Sequence, residues 1–343
     1  MNRERLRAFL WLASQARAQG PGGLVNLLGL SLAAARQTAR VPFRPMMLFV
    51  EVTTRCNLHC VMCPRAFVRR EERDMPFVEF QRILAQFPHP AWVAPQGIGE
   101  PLFHPDLDRI IRHSVDRGAE VTFNTNATIL TAHAARMLVQ SGLQELAFSI
   151  DSADDALYRR IRPGASLPRI VENIRRMIQI RDEMDSPLPR LVVRAVAMKE
   201  NLNHIPAVID LALSLGIADI AIQDLVLPDP ALAVSRIGAE EYQTLREYAE
   251  TATMRGARVK LENFSRFSPQ RGTSCRSPWL SPYITVDGYV TPCCVISDPQ
   301  QLNFGNVREA TFWDIWNSPA FQRFRIDFRH GRVPDVCKVC PSY

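Results

Sequence analysis

The stretch Glu51-Val-Thr-Thr-Arg-Cys-Asn-Leu-His-Cys-Val-Met-Cys-Pro64 spaces Cys56, Cys60 and Cys63 as C-x3-C-x2-C. It follows an apolar run over residues 46–52 that predicts a strand. A structural zinc site takes four protein ligands and a disulfide framework takes an even number of cysteines, so three thiolates on one short loop suit neither. A [4Fe-4S] cluster held by only three cysteines keeps one iron open to a small molecule. We therefore interpret the loop as the ligand set of such a cluster.

Composition indicates one large domain and one small domain, because the 343 residues are 47% apolar. The formal charge is +6 and the pI is about 9.0. The basic residues are almost all arginines spread along the chain, since the only lysines are Lys199, Lys260 and Lys338. Without a basic block we predict no nucleic-acid partner.

The eight cysteines fall in two groups, residues 56–63 and 275–340. Clustered cysteines in a chain of this size indicate metal binding rather than disulfides. No signal peptide is evident, and the apolar stretch over residues 24–35 is shorter than the ~20 residues that cross a bilayer. Since an oxidising compartment would destroy an exposed cluster, we predict a cytoplasmic location.

From residue 46 the chain alternates strand and helix patterns, which predicts an α/β fold with a parallel sheet. Six such units indicate a partial (β/α)6 barrel, a fold in which ligands gather at the carboxyl ends of the strands. The predicted strands are 46–53, 92–97, 120–124, 145–150, 190–198 and 217–226, with a possible seventh at 259–262.

We predict three regions: an N-terminal helical extension (1–45), the barrel (46–264) and a small C-terminal α+β unit (275–343), with a polar linker over 264–274. The extension has two amphipathic helical patterns separated by Gly20-Pro-Gly-Gly23. They either cover an open edge of the barrel or contact a membrane surface or partner. The C-terminal unit contains a predicted hairpin with Asp287-Gly288 at its turn.

Polar motifs follow each of the next three predicted strands. Gly97-Ile-Gly99-Glu100-Pro101 follows the second strand, Asn126 follows the third, and Ser149 and Asp151 follow the fourth, where Asp151 is also placed to cap the next helix. Carboxyl ends of parallel strands share one rim. The cysteine loop and these motifs therefore predict a single active site.

The cysteine loop and the Gly-Glu-Pro motif resemble the radical S-adenosylmethionine (SAM) superfamily. The resemblance implies a SAM-binding [4Fe-4S] cluster, reductive cleavage of SAM to a 5′-deoxyadenosyl radical, and a flavodoxin- or ferredoxin-type electron donor. Gly-Ile-Gly-Glu replaces the family's Gly-Gly-Glu, and Met62 replaces a frequent aromatic residue. The expected SAM contacts are Gly97, Gly99 and Glu100 for the ammonium group, Asn126 and Ser149 for the ribose, Arg162 or Arg194 for the carboxylate, and the backbone near Met62 for the adenine.

The second group, Cys275, Cys293, Cys337 and Cys340, supplies four thiolates. This number suits a fully ligated auxiliary [4Fe-4S] cluster, with structural zinc as the alternative. The pattern, including Gly288-Tyr-Val-Thr-Pro-Cys293 and the final C-x2-C pair, resembles the SPASM/twitch domains of radical SAM enzymes. Cys294 is a spare thiol that we interpret as a small buried residue, with ligation in place of Cys293 as the alternative.

Together the two resemblances imply an oxidoreductase that abstracts a substrate hydrogen and passes the remaining electron to the auxiliary cluster, as in oxidation of an alcohol. The alternatives are a peptide-modifying SPASM enzyme that forms crosslinks or formylglycine, a sugar epimerase or dehydratase, and an iron-sulfur electron carrier without catalysis. The substrate, a small molecule or a peptide, and the general base are not determined by these motifs.

Overall fold

Strands make one continuous sheet in the computed structural model, which describes residues 10, 13–14, 20–88, 90–227, 230–267 and 275–343. The order within this described part is β7-β6-β5-β4-β3-β2-β1-β8-β9. Neighbouring strands from β1 to β7 are parallel, β8 is parallel to β1, and β9 is antiparallel to β8. The strands are β1 Met47–Val50, β2 Trp92–Ala94, β3 Glu120–Thr125, β4 Glu145–Ser149, β5 Arg190–Ala197, β6 Asp219–Asp224, β7 Arg258–Glu262, β8 Tyr283–Ile284 and β9 Val290–Thr291. The predicted partial barrel is confirmed, including the seventh parallel strand.

Helices cover the outer face of the sheet. In one of them Leu167, Ile170, Ile174 and Met177 are buried at intervals of three or four residues, which is the spacing of an apolar helical stripe. The helices are α1 Gly20–Arg36, α2 Phe77–Ala85, α3 Leu107–Asp116, α4 Ala132–Gln140, α5 Asp155–Ile161, α6 Leu167–Glu183, α7 Ile205–Ser214, α8 Ala239–Met254, α9 Ser277–Leu280, α10 Phe312–Trp316, α11 Pro319–Arg329 and α12 Asp335–Lys338. Short 3-10 helices span Pro64–Ala66, Pro101–Phe103, Leu202–His204, Pro230–Ser235 and Ser265–Phe267.

The inner face of the sheet is polar. In β5, Leu191 and Val193 belong to the core beneath the helices, and Arg190 and Arg194 alternate with them. Arg194 donates to Glu262 of β7 over 2.8 Å. The polar side chains share this face with the buried apolar cluster of Ala147, Val192 and Ala221.

The C-terminal unit continues the barrel sheet instead of standing apart from it. Glu51 donates its backbone N–H to the carbonyl of Ile284 over 2.8 Å, which pairs the end of β1 with β8. The predicted hairpin is present between β8 and β9, and Gly288 at its turn has φ +87°. At the predicted linker, Phe267 stacks on Tyr242 at 4.4 Å between ring centroids, while residues 268–274 lie outside the described part.

The second helical pattern of the N-terminal extension is helix α1, whereas most of the first pattern lies outside the described residues. Leu27 and Leu30 of α1 share a core with Trp279 and Trp316 of the C-terminal unit. The extension therefore covers the C-terminal unit. Among the described helices, none has the length and apolar character that crossing a bilayer requires.

Candidate active site

The cysteine loop follows β1 and rests against the end of α5. The backbone N–H of His59 donates to Pro163 and that of Val61 donates to Ile161, at 3.3 and 3.0 Å. Cys63 closes a turn by donating its N–H to the Cys60 carbonyl over 3.1 Å. His59 itself is exposed, as expected for a residue that is not a ligand. The loop is thus held by its backbone, which leaves the thiols to bind a cofactor.

Burial raises the pKa values of all three thiols. The pKa of Cys63 rises to about 11, and those of Cys56 and Cys60 rise in the same direction. The neighbouring thiols of the loop add to the rise for Cys56 and Cys63. A high pKa makes a thiol a poor nucleophile, whereas a bound metal displaces its proton. The loop therefore suits metal ligation rather than thiol chemistry.

Glu100 joins the Gly97–Pro101 turn to the end of β3. Its carboxylate accepts hydrogen bonds from the Thr125 hydroxyl and the Asn126 backbone, both over 2.7 Å, and from the Leu102 backbone over 3.3 Å. Burial raises the pKa of Glu100 to about 7 despite these hydrogen bonds. The carboxylate is thus engaged within the protein and positions Asn126 at the rim.

Asn126 places an amide beside the cysteine loop. Its Nδ2 lies 3.8 Å from the sulfur of Cys56 and donates to the Asn57 side chain over 3.1 Å. Its Oδ1 accepts the Thr128 backbone N–H over 2.9 Å. The third strand therefore contributes a polar group next to the first cysteine, as the motif predicts.

The two glycines of the turn permit close packing of the chain on itself. A Cβ at Gly99 would lie 2.3 Å from the carbonyl oxygen of Thr53. A Cβ at Gly97 would lie 2.4 Å from both the Glu51 side chain and the Tyr283 hydroxyl. From the sequence we expected the missing side chains of these glycines to leave room for a ligand. In the structure, the chain around β1 and β8 fills the space.

Arg162 lies beside the second cysteine. Its Nη1 is 3.6 Å from the sulfur of Cys60, and its Nε donates to Asp151 over 2.6 Å. Burial alone would lower the pKa of Arg162, but Asp151 and the Cys60 thiol outweigh it and raise the pKa, so the guanidinium stays charged. Asp151 is not a helix cap, because Asp154 caps α5 by accepting the Leu157 N–H over 2.7 Å.

Ser149 and Arg194 are neighbours across β4 and β5. Arg194 is part of β5 and pairs with Glu262 of β7. Arg162, in contrast, directly follows α5. Met62 is buried in the same core as Leu58. The structure thus brings Asn126 and Arg162 directly to the cysteine loop and holds Ser149 and Arg194 on the adjoining strands.

Glu51 is a buried carboxylate that the motif analysis did not select. It accepts the backbone N–H of Ile98 over 3.2 Å and that of Val286 over 3.0 Å, and it pairs with Arg70 at 2.7 Å. Arg70 also reaches Asp287 at the hairpin turn over 3.0 Å. One side chain therefore joins the cysteine strand, the glycine turn and the C-terminal hairpin. Its only signal in the sequence is an acidic residue at the end of an apolar strand.

The second cysteine group lines a small apolar cavity. Its walls are Cys275, Pro278, Pro292, Cys293, Val295, Ile296, Phe324, Phe328, Val336, Cys337, Cys340 and Tyr343. Burial raises the pKa of Cys337 to about 12. All eight cysteines are free thiols. Four cysteines from different segments therefore line one cavity, and this number suits a cluster with four thiolate ligands.

Four thiols suit a [4Fe-4S] cluster with four cysteine ligands, and a structural zinc ion is the alternative. Cys294 is exposed and does not line the cavity, so the interpretation of Cys294 as a buried residue is wrong.

Two adjoining clefts open between the cysteine loop and the C-terminal unit. One, of about 480 Å³, is lined by Thr54, Arg65, Val68, Arg69, Arg70, Glu71 and Ile98. The other, of about 350 Å³, shares Arg69, Arg70 and Glu71 and extends to Asp287, Tyr289 and the loop 298–303. These volumes lie in the range of small-ligand sites.

Comparison with known families places both cysteine groups in recognised domains. Residues 50–212 match the radical SAM superfamily, and residues 275–341 match an iron-sulfur cluster-binding domain, SPASM. The two matches contain every cysteine proposed above as a cluster ligand.

Curated relatives are similar over most of their length. A tungsten-containing aldehyde ferredoxin oxidoreductase cofactor-modifying protein of Pyrococcus furiosus is 28% identical over 311 residues, covering 85% of this chain and 86% of the relative. The PqqA peptide cyclase of Bradyrhizobium diazoefficiens is 24% identical over 323 residues, covering 89% and 81%.

Among solved structures, Streptococcus suis SuiB has the same fold. SuiB bound to S-adenosylmethionine superposes with a TM-score of 0.68 at 19% identity, covering 88% of this chain and 72% of SuiB. SuiB bound to its precursor peptide SuiA gives 0.65 at 18% identity, covering 93% and 74%.

Proposed function

Because the chain belongs to the radical SAM superfamily and carries a SPASM iron-sulfur cluster-binding domain, its cofactors are SAM and [4Fe-4S] clusters, and we propose that it catalyses a two-electron oxidation of its substrate. When bound, these groups supply two things: a 5′-deoxyadenosyl radical, which removes a substrate hydrogen, and an acceptor for the electron that is left on the substrate. The protein holds them, orients the substrate and excludes water.

Cys56, Cys60 and Cys63 are the proposed ligands of the first cluster. Asn126 and Arg162 are the proposed polar contacts of SAM nearest to it, because each lies within 4 Å of a loop sulfur. Arg162 is the better candidate than Arg194 for the SAM carboxylate, since a carboxylate bound near the open iron must lie close to the loop. Ser149 remains the proposed ribose contact, and Glu100 acts by holding Asn126.

The observation that carries the oxidation proposal is the buried four-cysteine cavity fixed to the same sheet as the cysteine loop. β8 belongs to this unit and is hydrogen-bonded along β1, the strand that leads into the loop. An electron acceptor held by Cys275, Cys293, Cys337 and Cys340 therefore stands in a fixed relation to the site where the substrate radical forms. A structural zinc ion would accept no electron.

The paired clefts beside the cysteine loop are the proposed substrate site. They lie between the loop segment that follows Cys63 and the hairpin that precedes Cys293. An alcohol, whose carbon radical loses a proton and an electron to give a carbonyl, fits this chemistry.

A second candidate function is the modification of a peptide. It is favoured by the relative named a PqqA peptide cyclase and by the fold shared with SuiB, which has been solved with a precursor peptide. The two functions differ in what stimulates SAM cleavage. Protease treatment of a stimulating cell fraction would abolish the effect of a peptide substrate and spare that of a small alcohol.

SAM cleavage under anaerobic reduction tests the proposal. The reconstituted protein should contain about 8 iron atoms for two [4Fe-4S] clusters and should form 5′-deoxyadenosine with dithionite or with a flavodoxin-type donor. Replacing Cys56, Cys60 and Cys63 by alanine should abolish cleavage and halve the iron. No 5′-deoxyadenosine from the unaltered protein with any reductant would refute radical catalysis.

The role of the second cysteine group is tested separately. Cys337→Ala should still form 5′-deoxyadenosine while losing substrate oxidation, and Cys294→Ala is the matched control that should retain both. Full oxidation by Cys337→Ala would overturn the electron-acceptor role. Zinc in place of the second half of the iron would make the site structural.

A further inference from the structure

Helix α1 presents an apolar face to solvent. From Pro21 to Ala35 the exposed positions are Pro21, Gly22, Val25, Leu28, Leu32 and Ala35, without a polar side chain among them. Val25, Leu28 and Leu32 are 63%, 58% and 49% exposed. Residues three and four apart are neighbours on a helix, so these three form one stripe. Apolar stripes of this kind mark surfaces that another phase or molecule covers.

The opposite face of α1 is anchored to the protein body. Leu27 and Leu30 are buried against the C-terminal unit. The Asn26 amide donates to the Arg44 carbonyl and accepts the Arg44 N–H, each over 2.9 Å. The Trp279 indole donates to the Thr38 carbonyl just beyond the helix over 2.8 Å. Because the helix already has a packed inner face, its outer stripe is a second, separate apolar surface.

The net positive charge of the chain is concentrated in the same segment. Residues 1–45 contain seven arginines and one glutamate and no lysine or aspartate, a net charge of +6. The whole chain has 41 basic and 35 acidic side chains, so residues 46–343 carry 34 of each and are neutral. The charge excess of the protein therefore belongs to the segment that carries the apolar stripe.

Two of these arginines flank the stripe. Arg36 ends α1 and Arg40 lies four residues beyond it; both are exposed, and within the described residues neither forms an ion pair. An apolar helical stripe beside unpaired cations is complementary to an anionic bilayer surface, where the apolar side chains enter the headgroup boundary and the cations meet lipid phosphates.

We propose that α1 docks the protein on the surface of an anionic lipid bilayer. Because α1 packs on the C-terminal unit, docking would turn that unit towards the lipid and hold the barrel at a fixed orientation. A protein partner could cover the apolar stripe without the net positive charge of the chain lying in the same segment, whereas an anionic bilayer attracts both.

Vesicle flotation with the full-length, cluster-loaded chain tests this. We expect binding to phosphatidylcholine vesicles that contain phosphatidylglycerol. Binding to vesicles of phosphatidylcholine alone should be at least about tenfold weaker, and high salt should remove this difference between the two kinds of vesicle. The double variant Leu28→Asn/Leu32→Asn should weaken binding about tenfold or more. Arg36→Gln/Arg40→Gln should weaken it by a similar factor on the anionic vesicles only.

The matched control is Met254→Asn, which removes an exposed apolar side chain that is 82% exposed on another helix and should leave vesicle binding unchanged. Thermal unfolding checks that each variant folds, and the charge variant tests the proposal independently of the stripe. Absence of binding to anionic vesicles would overturn the proposal. So would stripe variants that bind normally, or that only convert a dimer into a monomer in sedimentation velocity, because the stripe would then pair two copies.

Discussion

Replacing the buried Glu51 by leucine should destabilise the protein strongly, whereas replacing an exposed carboxylate nearby should not. The Glu51 side chain is fully buried and accepts the backbone N–H groups of Ile98 and Val286 while pairing with Arg70. Leucine is similar in volume but accepts no hydrogen bond. The variant therefore leaves two buried donors and one largely buried cation without their partner.

The magnitude follows from those three lost contacts. Removing one partner of a buried ion pair costs about 3–5 kcal/mol, and each buried donor left unsatisfied costs about 1–3 kcal/mol. Asp287 remains 3.0 Å from Arg70 and offsets part of the first term. We expect a loss of about 5 kcal/mol in the free energy of unfolding. Glu51→Gln keeps one acceptor oxygen and should lose about 3 kcal/mol.

Anaerobic urea unfolding, followed by far-ultraviolet circular dichroism on proteins of equal iron content, measures this loss. The control is Glu71→Leu, which removes a carboxylate that is 82% exposed and paired with Arg73; it should change stability by less than about 1 kcal/mol. A Glu51→Leu variant within about 1 kcal/mol of the unaltered protein would refute the reasoning. It would mean that the β1, turn and hairpin segments do not depend on this carboxylate.

Three further outcomes follow from the site. Glu100 has a pKa of about 7 in the folded chain against an ordinary value of 4.5, so between these pH values the folded chain keeps a proton that the unfolded chain has released. The free energy of unfolding should therefore fall by roughly 3 kcal/mol as the pH rises from 4.5 to 7. Glu100→Gln should flatten this part of the pH profile, and an unchanged slope would contradict the assignment. Gly99→Ala should lower the free energy of unfolding by about 1–3 kcal/mol, because its Cβ would lie 2.3 Å from the Thr53 carbonyl, whereas Gly22→Ala, with open space around it, should not be destabilised. Arg325→Leu should cost about 3–5 kcal/mol in thermal unfolding, because the buried guanidinium donates to three backbone carbonyls that leucine leaves without this donor; a loss below about 1 kcal/mol would contradict that account.

The proposed ligands of the first cluster could be predicted from the sequence because their spacing is local. Three thiols within eight residues must share one loop in any fold, and the apolar run before them identifies the strand that carries it. The alternation of strands and helices likewise predicts a parallel sheet, since each pattern depends on residues a few positions apart. The rim motifs gather for the same reason, because each directly follows a strand.

Contacts between distant segments were not accessible in this way. Asp151 pairs with Arg162 instead of capping a helix, and α5, which positions that arginine, has no strong pattern of its own over its seven residues. Gly97 is small because Tyr283 and Glu51 approach it, and Tyr283 lies almost two hundred positions away. Cys294 is exposed because the chain turns at Cys293. The two residues are adjacent and identical, so spacing alone cannot show which of them lines the cavity.

The sequence by itself predicted three thiols on one loop for a cluster with an open iron, four more thiols for a second cluster, and a parallel α/β framework with the motifs at one rim. Local spacing is sufficient for the loop and for the framework, whereas the four thiols of the second group are spread over residues 275–340 and only their number could be used. Only the tertiary structure decided that the C-terminal hairpin extends the barrel sheet through β1, that Glu51 joins both units, and that α1 turns one apolar face inward and another outward. Those features arise from packing and hydrogen bonds between segments far apart in the chain, whose register no single segment specifies.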